Sequence, residues 1–265
     1  MSLSSGGGFL VNKDVISVTF VPLFLLLIVY PLVALIANID MEGIIKTFRD
    51  EYFWYSVKHT ILAALIAASL GVLMAVGFGY YHLFRRGSFF YRVANLLNDL
   101  PIALPHTVAG LALLIAFGRK TFGFVSDTGL AFNLFAVAIA MFFGSFPLAS
   151  RTLASGVDRM EQEIVDVART LGDTPSKVYL RVVLPMMGEA LFSAFVLSFS
   201  RSLGEFGAVV IFGGNLPAST QVLASYVFSK VEEGELEMAV TASVFCIILS
   251  LAVVGMLSIT RFRRA

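Results

Sequence analysis

The chain is short of charge. Only 14% of its 265 residues are Asp, Glu, Lys or Arg, while 58% are hydrophobic. Soluble domains carry about a quarter charged residues, so this chain has too few to clothe a water-facing surface. It has one cysteine, Cys246, which excludes an intramolecular disulfide; its place in an apolar run marks it as a small packing residue. The three histidines, His59, His82 and His106, are scattered without metal-ligand spacing. No Gly-Lys dipeptide occurs, which excludes a phosphate-cradling P-loop. HExxH and GxSxG are missing as well. These gaps remove nucleotide hydrolysis and the common hydrolase chemistries from this chain, and its composition argues against nucleic-acid binding. What it does have is 25 Phe, and 22 Gly against 8 Pro, a balance that suits closely packed membrane helices.

A helix needs about 20 apolar residues to cross roughly 30 Å of hydrocarbon. Six stretches qualify: Val15 to Ala37, Val57 to Phe84, Leu100 to Gly118, Leu130 to Ala149, Gly188 to Val210 and Met238 to Ile259. The first exceeds the apolar core of a cleaved signal peptide, about 7–15 residues, and is read as a retained anchor. The expected fold is an all-α integral membrane protein. Residues 1–14 form a small N-terminal tail and 15–265 a single six-span domain.

Six spans put both termini on one side. The segments on that side hold twelve Lys or Arg residues, the opposite segments six, and Arg201 lies within the fifth span. The excess of positive charge places both termini, and the loop of about residues 150–187, in the cytoplasm of a cell-membrane protein.

That loop is the most polar part of the chain. Met160, Ile164, Val167, Ala168 and Leu171 recur at helical spacing. Gly172 is a helix stop, Asp173 or Thr174 a cap, and Pro175 the first residue of a second short helix. Val178, Leu180, Val182 and Val183 alternate there with Lys177, Tyr179 and Arg181, and Pro185 is expected to break it. The design is a stiff knuckle with basic and aromatic tips; the plainer alternative is an amphipathic loop lying on lipid headgroups.

The loop resembles the signature EAA-x3-G-x9-I-x-LP of the membrane subunits of ATP-binding-cassette importers. Asp166, Val167 and Ala168 stand for EAA, Gly172 follows after three residues, and Val182, Val183, Leu184 and Pro185 come nine later. The resemblance implies a coupling helix, about Thr174 to Val183, docking on a separate ATPase. Asp166, Ala168, Gly172, Thr174, Pro175, Lys177, Val178, Tyr179, Arg181, Leu184 and Pro185 are the residues it assigns to coupling. It also implies two ATPase copies carrying ATP and Mg, a second copy of this chain, an extracytoplasmic binding protein, and no catalysis or cofactor in the chain itself.

The run SFSRSLGEFGAVVIFGGNLP, Ser198 to Pro217, resembles permeases for molybdate, tungstate and sulfate, as does LPIALPHTVAGLALL, Leu100 to Leu114. Phe206, where sulfate permeases commonly have Tyr, points toward molybdate or tungstate, with sulfate as the alternative. Arg201 and Glu205 lie one helical turn apart in an apolar span, where charges must pair or face a hydrated interior. They either line the path of a tetrahedral dianion or form an i, i+4 pair that fixes packing. Pro105 and His106, with Pro101 and Gly110, either kink a pore-lining third span or start a simple helix; His106 reads as a packing or backbone-bonded residue, and Arg201, Glu205, Phe206, Pro105 and His106 are the candidates for the path or its gate. A stand-alone secondary transporter, the rival class, would show inverted repeats or broken-helix pairs.

Overall fold

The computed structural model describes residues 20–262, with the backbone alone from residue 257 onward. The expected tail, the first residues of the expected first span, and Arg263 and Arg264 lie outside the described residues. The described chain is helical, save for an isolated bridge between Gly118 and Gly129. Helix α1 (Phe20–Ala37) is apolar on every side, and none of its residues is buried. Two aspartates start the next elements. Asp40 accepts from Gly43 N at 2.7 Å to cap α2 (Met41–Arg49), and Asp50 accepts from Tyr52 N at 2.9 Å to cap α3 (Glu51–Phe84).

Helix α3 is the longest element, about 51 Å at 1.5 Å per residue, against about 30 Å of hydrocarbon. Its buried face is a stripe of small residues, including Ala63, Ala64, Ala67, Ala68, Gly71 and Ala75. In lipid the hydrophobic effect gives helices no reason to associate, so close backbone approach along such a stripe is what packs them. After a turn come α4 (Phe89–Ala103) and α5 (His106–Phe117), which meet at a bend of 118°. Then come α6 (Leu134–Asp158), capped by Asn133 bonding to Ala136 N at 2.9 Å, α7 (Gln162–Thr170), α8 (Pro175–Met186) and α9 (Gly188–Leu203). Helices α3, α6 and α9 form the centre of the bundle, where Ser198 of α9 bonds Ser145 of α6 at 3.0 Å. Helix α10 (Leu223–Glu232) and the start of α11 (Leu236–Phe262) close the end opposite α7 and α8. There Phe53 meets the rings of Tyr226 and Phe245, at 5.7 and 5.3 Å, and the Tyr226 hydroxyl donates to Asp50 Oδ2 at 2.7 Å. Burial, helped by that bond, pushes the Tyr226 phenol above its ordinary range.

The bundle is all-α and multi-span. Four helices are each long and apolar enough to cross a membrane, and six are if each bent pair counts as one. Three expectations need correction. The third span is broken, because Leu104 before Pro105 is driven into extended backbone, with ψ 139°. The piece that follows, α5, is about 18 Å long and too short to cross alone. The fourth span overruns its expected end by nine residues, because the charges that appeared to stop it are paired. Arg151 forks onto Asp99 at 2.5 and 3.0 Å and reaches Asn95 at 2.6 Å, while Asp158 meets His82 at 3.0 Å and Arg86. The fifth span stops at Leu203 and resumes over residues 207–213.

Candidate functional site

At that second interruption the chain places Glu205, only 1% exposed. Arg201, on the last turn of α9, reaches its Oε2 with Nη1 at 3.0 Å. His106, the first residue of α5, puts Nδ1 2.8 Å from Oε1 and 3.0 Å from Oε2. Arg201 Nη2 lies 3.1 Å from His106 Nε2. A tautomer with its proton on Nδ1 satisfies the carboxylate and the shorter of the two guanidinium contacts: Nδ1–H donates to Glu205 and Nε2 accepts from Arg201. The break itself contributes, since Ala208 N points at Glu205 Oε1 from 3.5 Å.

Two glycines make the room. A Cβ at Gly144 of α6 would stand 2.9 Å from Glu205 Oε2, and one at Gly207 would stand 2.9 Å from the His106 Cβ. Neither glycine stands out in the sequence as a site residue, and nothing in the sequence joins His106 to Glu205, 99 positions on. The expectation that His106 is a packing or backbone-bonded residue is corrected: its side chain, 48% exposed, bonds two charged groups. Phe206 turns to another element, its ring 5.0 Å from Phe228 of α10. Pro105 is exposed at the N-cap of α5.

Chemically the trio is one cation, one anion and an imidazole, of which only the anion is buried in the apolar bundle. Glu205 is fully dry, whereas Arg201 is 30% exposed. A guanidinium has five N–H donors; beyond its bonds to Glu205 and His106, those of Arg201 have no partner among the described residues. That is the geometry of a cation held in place with donors to spare. Among the described residues no group of three or more His, Cys, Asp or Glu is placed to hold a metal.

The polar loop forms a second assembly. Helix α7 ends at Gly172, whose φ of +95° is the left-handed region that favours glycine; a Cβ there would meet nothing within 4 Å, so conformation alone accounts for the residue. Thr174 takes the N-cap position of α8 without a side-chain bond, followed by Pro175. Lys177 and Arg181 are exposed, Val178 is buried, and Asp166 faces solvent beside a half-buried Ala168. Tyr179 is not a projecting tip: it is buried, and its hydroxyl donates to Val76 O of α3 at 2.7 Å. Nor does Pro185 break the helix. A π turn over Tyr179–Val183, with Leu184 N–H bonding Tyr179 O, loosens the winding ahead of the proline ring, and α8 runs on past a half-buried Leu184 to Met186. The break falls at Met187, where α9 departs at 74°. The face of α7 is the expected one only in part: Met160 and Ala168 pack on the core, and Ile164 is half-buried. Val165 is buried, while Val167 and Leu171, with Leu180 of α8, are exposed, Leu171 to 82%. The knuckle thus carries an apolar patch beside two cations.

Residues 69–265 match the family model described as binding-protein-dependent transport system inner membrane component. The chain is 33% identical over 227 residues to the sulfate transport system permease protein CysT of Escherichia coli (strain K12), covering 82% of this chain and 79% of the relative. It is 27% identical over 221 residues to the probable transport system permease protein NifC of Clostridium pasteurianum, covering 82% and 77%. In fold it is similar to a bacterial ABC transporter involved in the import of the acidic polysaccharide alginate, with a TM-score of 0.73 over 94% of each chain at 13% identity. This chain belongs to the family of binding-protein-dependent transport system inner membrane components, the membrane subunits of ATP-binding-cassette importers, which are not themselves catalysts and work with a separate ATPase.

Proposed function

We propose that this chain is the membrane subunit of an importer for a tetrahedral oxyanion of the sulfate type. Its motifs alone leave molybdate, tungstate and sulfate open and lean toward the first two on Phe206. The relatives move the balance to sulfate, since permeases named for sulfate recur among them at 28–34% identity. Phe206, engaged with Phe228 rather than with the charged trio, gives no reason to resist that move. The observation that carries the reading is the half-open Arg201 beside a dry Glu205, in a chain a third identical to a sulfate permease.

Selectivity belongs to an extracytoplasmic binding protein. The path itself must hold its ion weakly, because tight binding would stop release. Arg201 suits such weak holding, because its charge is already compensated by Glu205 and a passing dianion meets donors rather than a bare cation. Two copies of the chain enclose the path, with both termini cytoplasmic and six spans in each, residues 15–265 acting as one domain. Loop 150–187 meets the ATPases, one per copy, through Leu171, Leu180, Lys177 and Arg181. ATP and Mg sit on those partners. Broken helices also occur in secondary transporters; the family match supports the ATP-driven class here.

Reconstitution in vesicles with the partner ATPase and binding protein tests the reading. Labelled sulfate should accumulate only with ATP, and excess unlabelled sulfate should compete more strongly than molybdate or tungstate. Uphill uptake by this chain alone would refute the coupling, and stronger competition by molybdate or tungstate would return the substrate to them.

A further inference from the structure

We propose that the groove between α3 and α4, at the end of the bundle that carries α7 and α8, is a binding site for an anionic phospholipid. The two helices meet at the turn Arg85–Ser88, closed by Ser88 N–H to Arg85 O at 2.9 Å. Above the turn opens a cavity of about 480 Å³ lined by Arg85, Ser88, Tyr81 and Tyr91 among others. It runs into a second of about 430 Å³, sharing Phe78, Tyr81 and Ala94, whose walls are almost wholly apolar: Met74 of α3, Leu97 of α4, Phe142 and Phe146 of α6. The composite space is polar and cationic at one end and apolar along its length, which is the shape of a headgroup with its acyl chain.

Charge identifies the headgroup. Two nearby arginines are neutralised, Arg86 by Asp158 and Arg151 by Asp99. Arg85 has no acidic partner among the described residues and is exposed at the mouth of the groove. Ser88 Oγ accepts from Tyr91 N at 3.1 Å, which leaves its O–H free to donate to a phosphate oxygen. A helix from a second copy laid in this groove would cover Arg85 with no counter-charge, a costly arrangement. A free inorganic dianion has no use for the apolar arm. A basic pocket between spans at the headgroup level is suited to an anionic lipid, and the aromatic rings around the mouth suit the interface. Only the choice of leaflet, the cytoplasmic one, rests on the orientation proposed above.

Native mass spectrometry of the full chain in detergent, titrated with dioleoylphosphatidylglycerol or dioleoylphosphatidylcholine, tests this. The wild type should retain the anionic lipid preferentially. Arg85→Ala should weaken its retention about five-fold, one basic contact at the surface, and the control Arg159→Ala should not. Gly77→Leu closes the apolar arm without a backbone clash, since a Cβ there meets nothing within 4 Å; it should reduce retention of the anionic lipid while the helical circular dichroism stays intact. Equal retention by Arg85→Ala and wild type would overturn the site. So would a Gly77→Leu variant that loses a dimer and no lipid, which would make the groove a contact between copies. No substrate or ATPase enters this measurement, so its failure and that of the transport assay are separate events.

Discussion

Glu205 and Arg201 illustrate how far single residues can be read. Their spacing exposes an i, i+4 pair in the sequence, but the third member, His106, comes from a different helix and is visible only in the fold. Removing one side of a dry ion pair costs about 3–5 kcal/mol; with Arg201 partly exposed, Glu205→Ala should cost less, about 1–3 kcal/mol. The melting midpoint in detergent should fall for Glu205→Ala and recover in part in Arg201→Ala/Glu205→Ala, which removes the stranded cation. Arg201→Lys separates packing from passage. It keeps the charge but loses the planar fork, so it should hold the melting midpoint near wild type while lowering oxyanion uptake; unchanged uptake would reduce the trio to packing. At Gly172, open space around the missing Cβ isolates the backbone term. Gly172→Asn, which tolerates left-handed φ, should keep uptake per ATP closer to wild type than Gly172→Val, and equal ratios would deny the turn its role.

At the level of elements, the long apolar helices were legible because a hydrocarbon-spanning run needs no partner to be recognised. Helix α11 lies close to its expected bounds, and α3 ends where expected, at Phe84, but starts six residues early at Glu51. Where charge intervenes, local reading fails because the compensating group lies far along the chain. Arg151 reads as a terminus in the sequence, yet Asp99, 52 positions away, pairs with it and the helix runs on to Asp158. The face of α7 differs in part from the expected stripe: Val165, one residue off it, packs inward beside Met160 and Ala168, while Val167 and Leu171 do not. Tyr179 belongs to the same class, since an aromatic among basic residues reads as a tip and its acceptor is 103 positions away. Tyr179→Phe removes one neutral hydrogen bond, worth about 0.5–1.5 kcal/mol. The expected result is a small drop in melting midpoint with a larger drop in uptake per ATP hydrolysed, measured with the ATPase present. A drop in stability alone would make the bond a brace without a part in coupling.

For the whole molecule, orientation follows from a charge count that the fold leaves open and chemistry can check. In a Cys246→Ser background, Lys177→Cys on α8 and Glu232→Cys at the end of α10 are both exposed positions at opposite ends of the bundle. A membrane-impermeant maleimide added to right-side-out vesicles should label the second and spare the first until the vesicles are opened; the reverse pattern would invert the topology. Those two ends are also joined by one continuous helix. Helix α3 holds Phe53 and the Asp50 cap among the aromatics at one tip, and takes the Tyr179 hydroxyl on Val76 toward the other. A straight rod of about 51 Å that swings by roughly ten degrees about one tip carries the far tip about 9 Å. A nudge too small to matter where α8 leans on it would therefore arrive at the opposite mouth as a displacement wider than a hydrated ion.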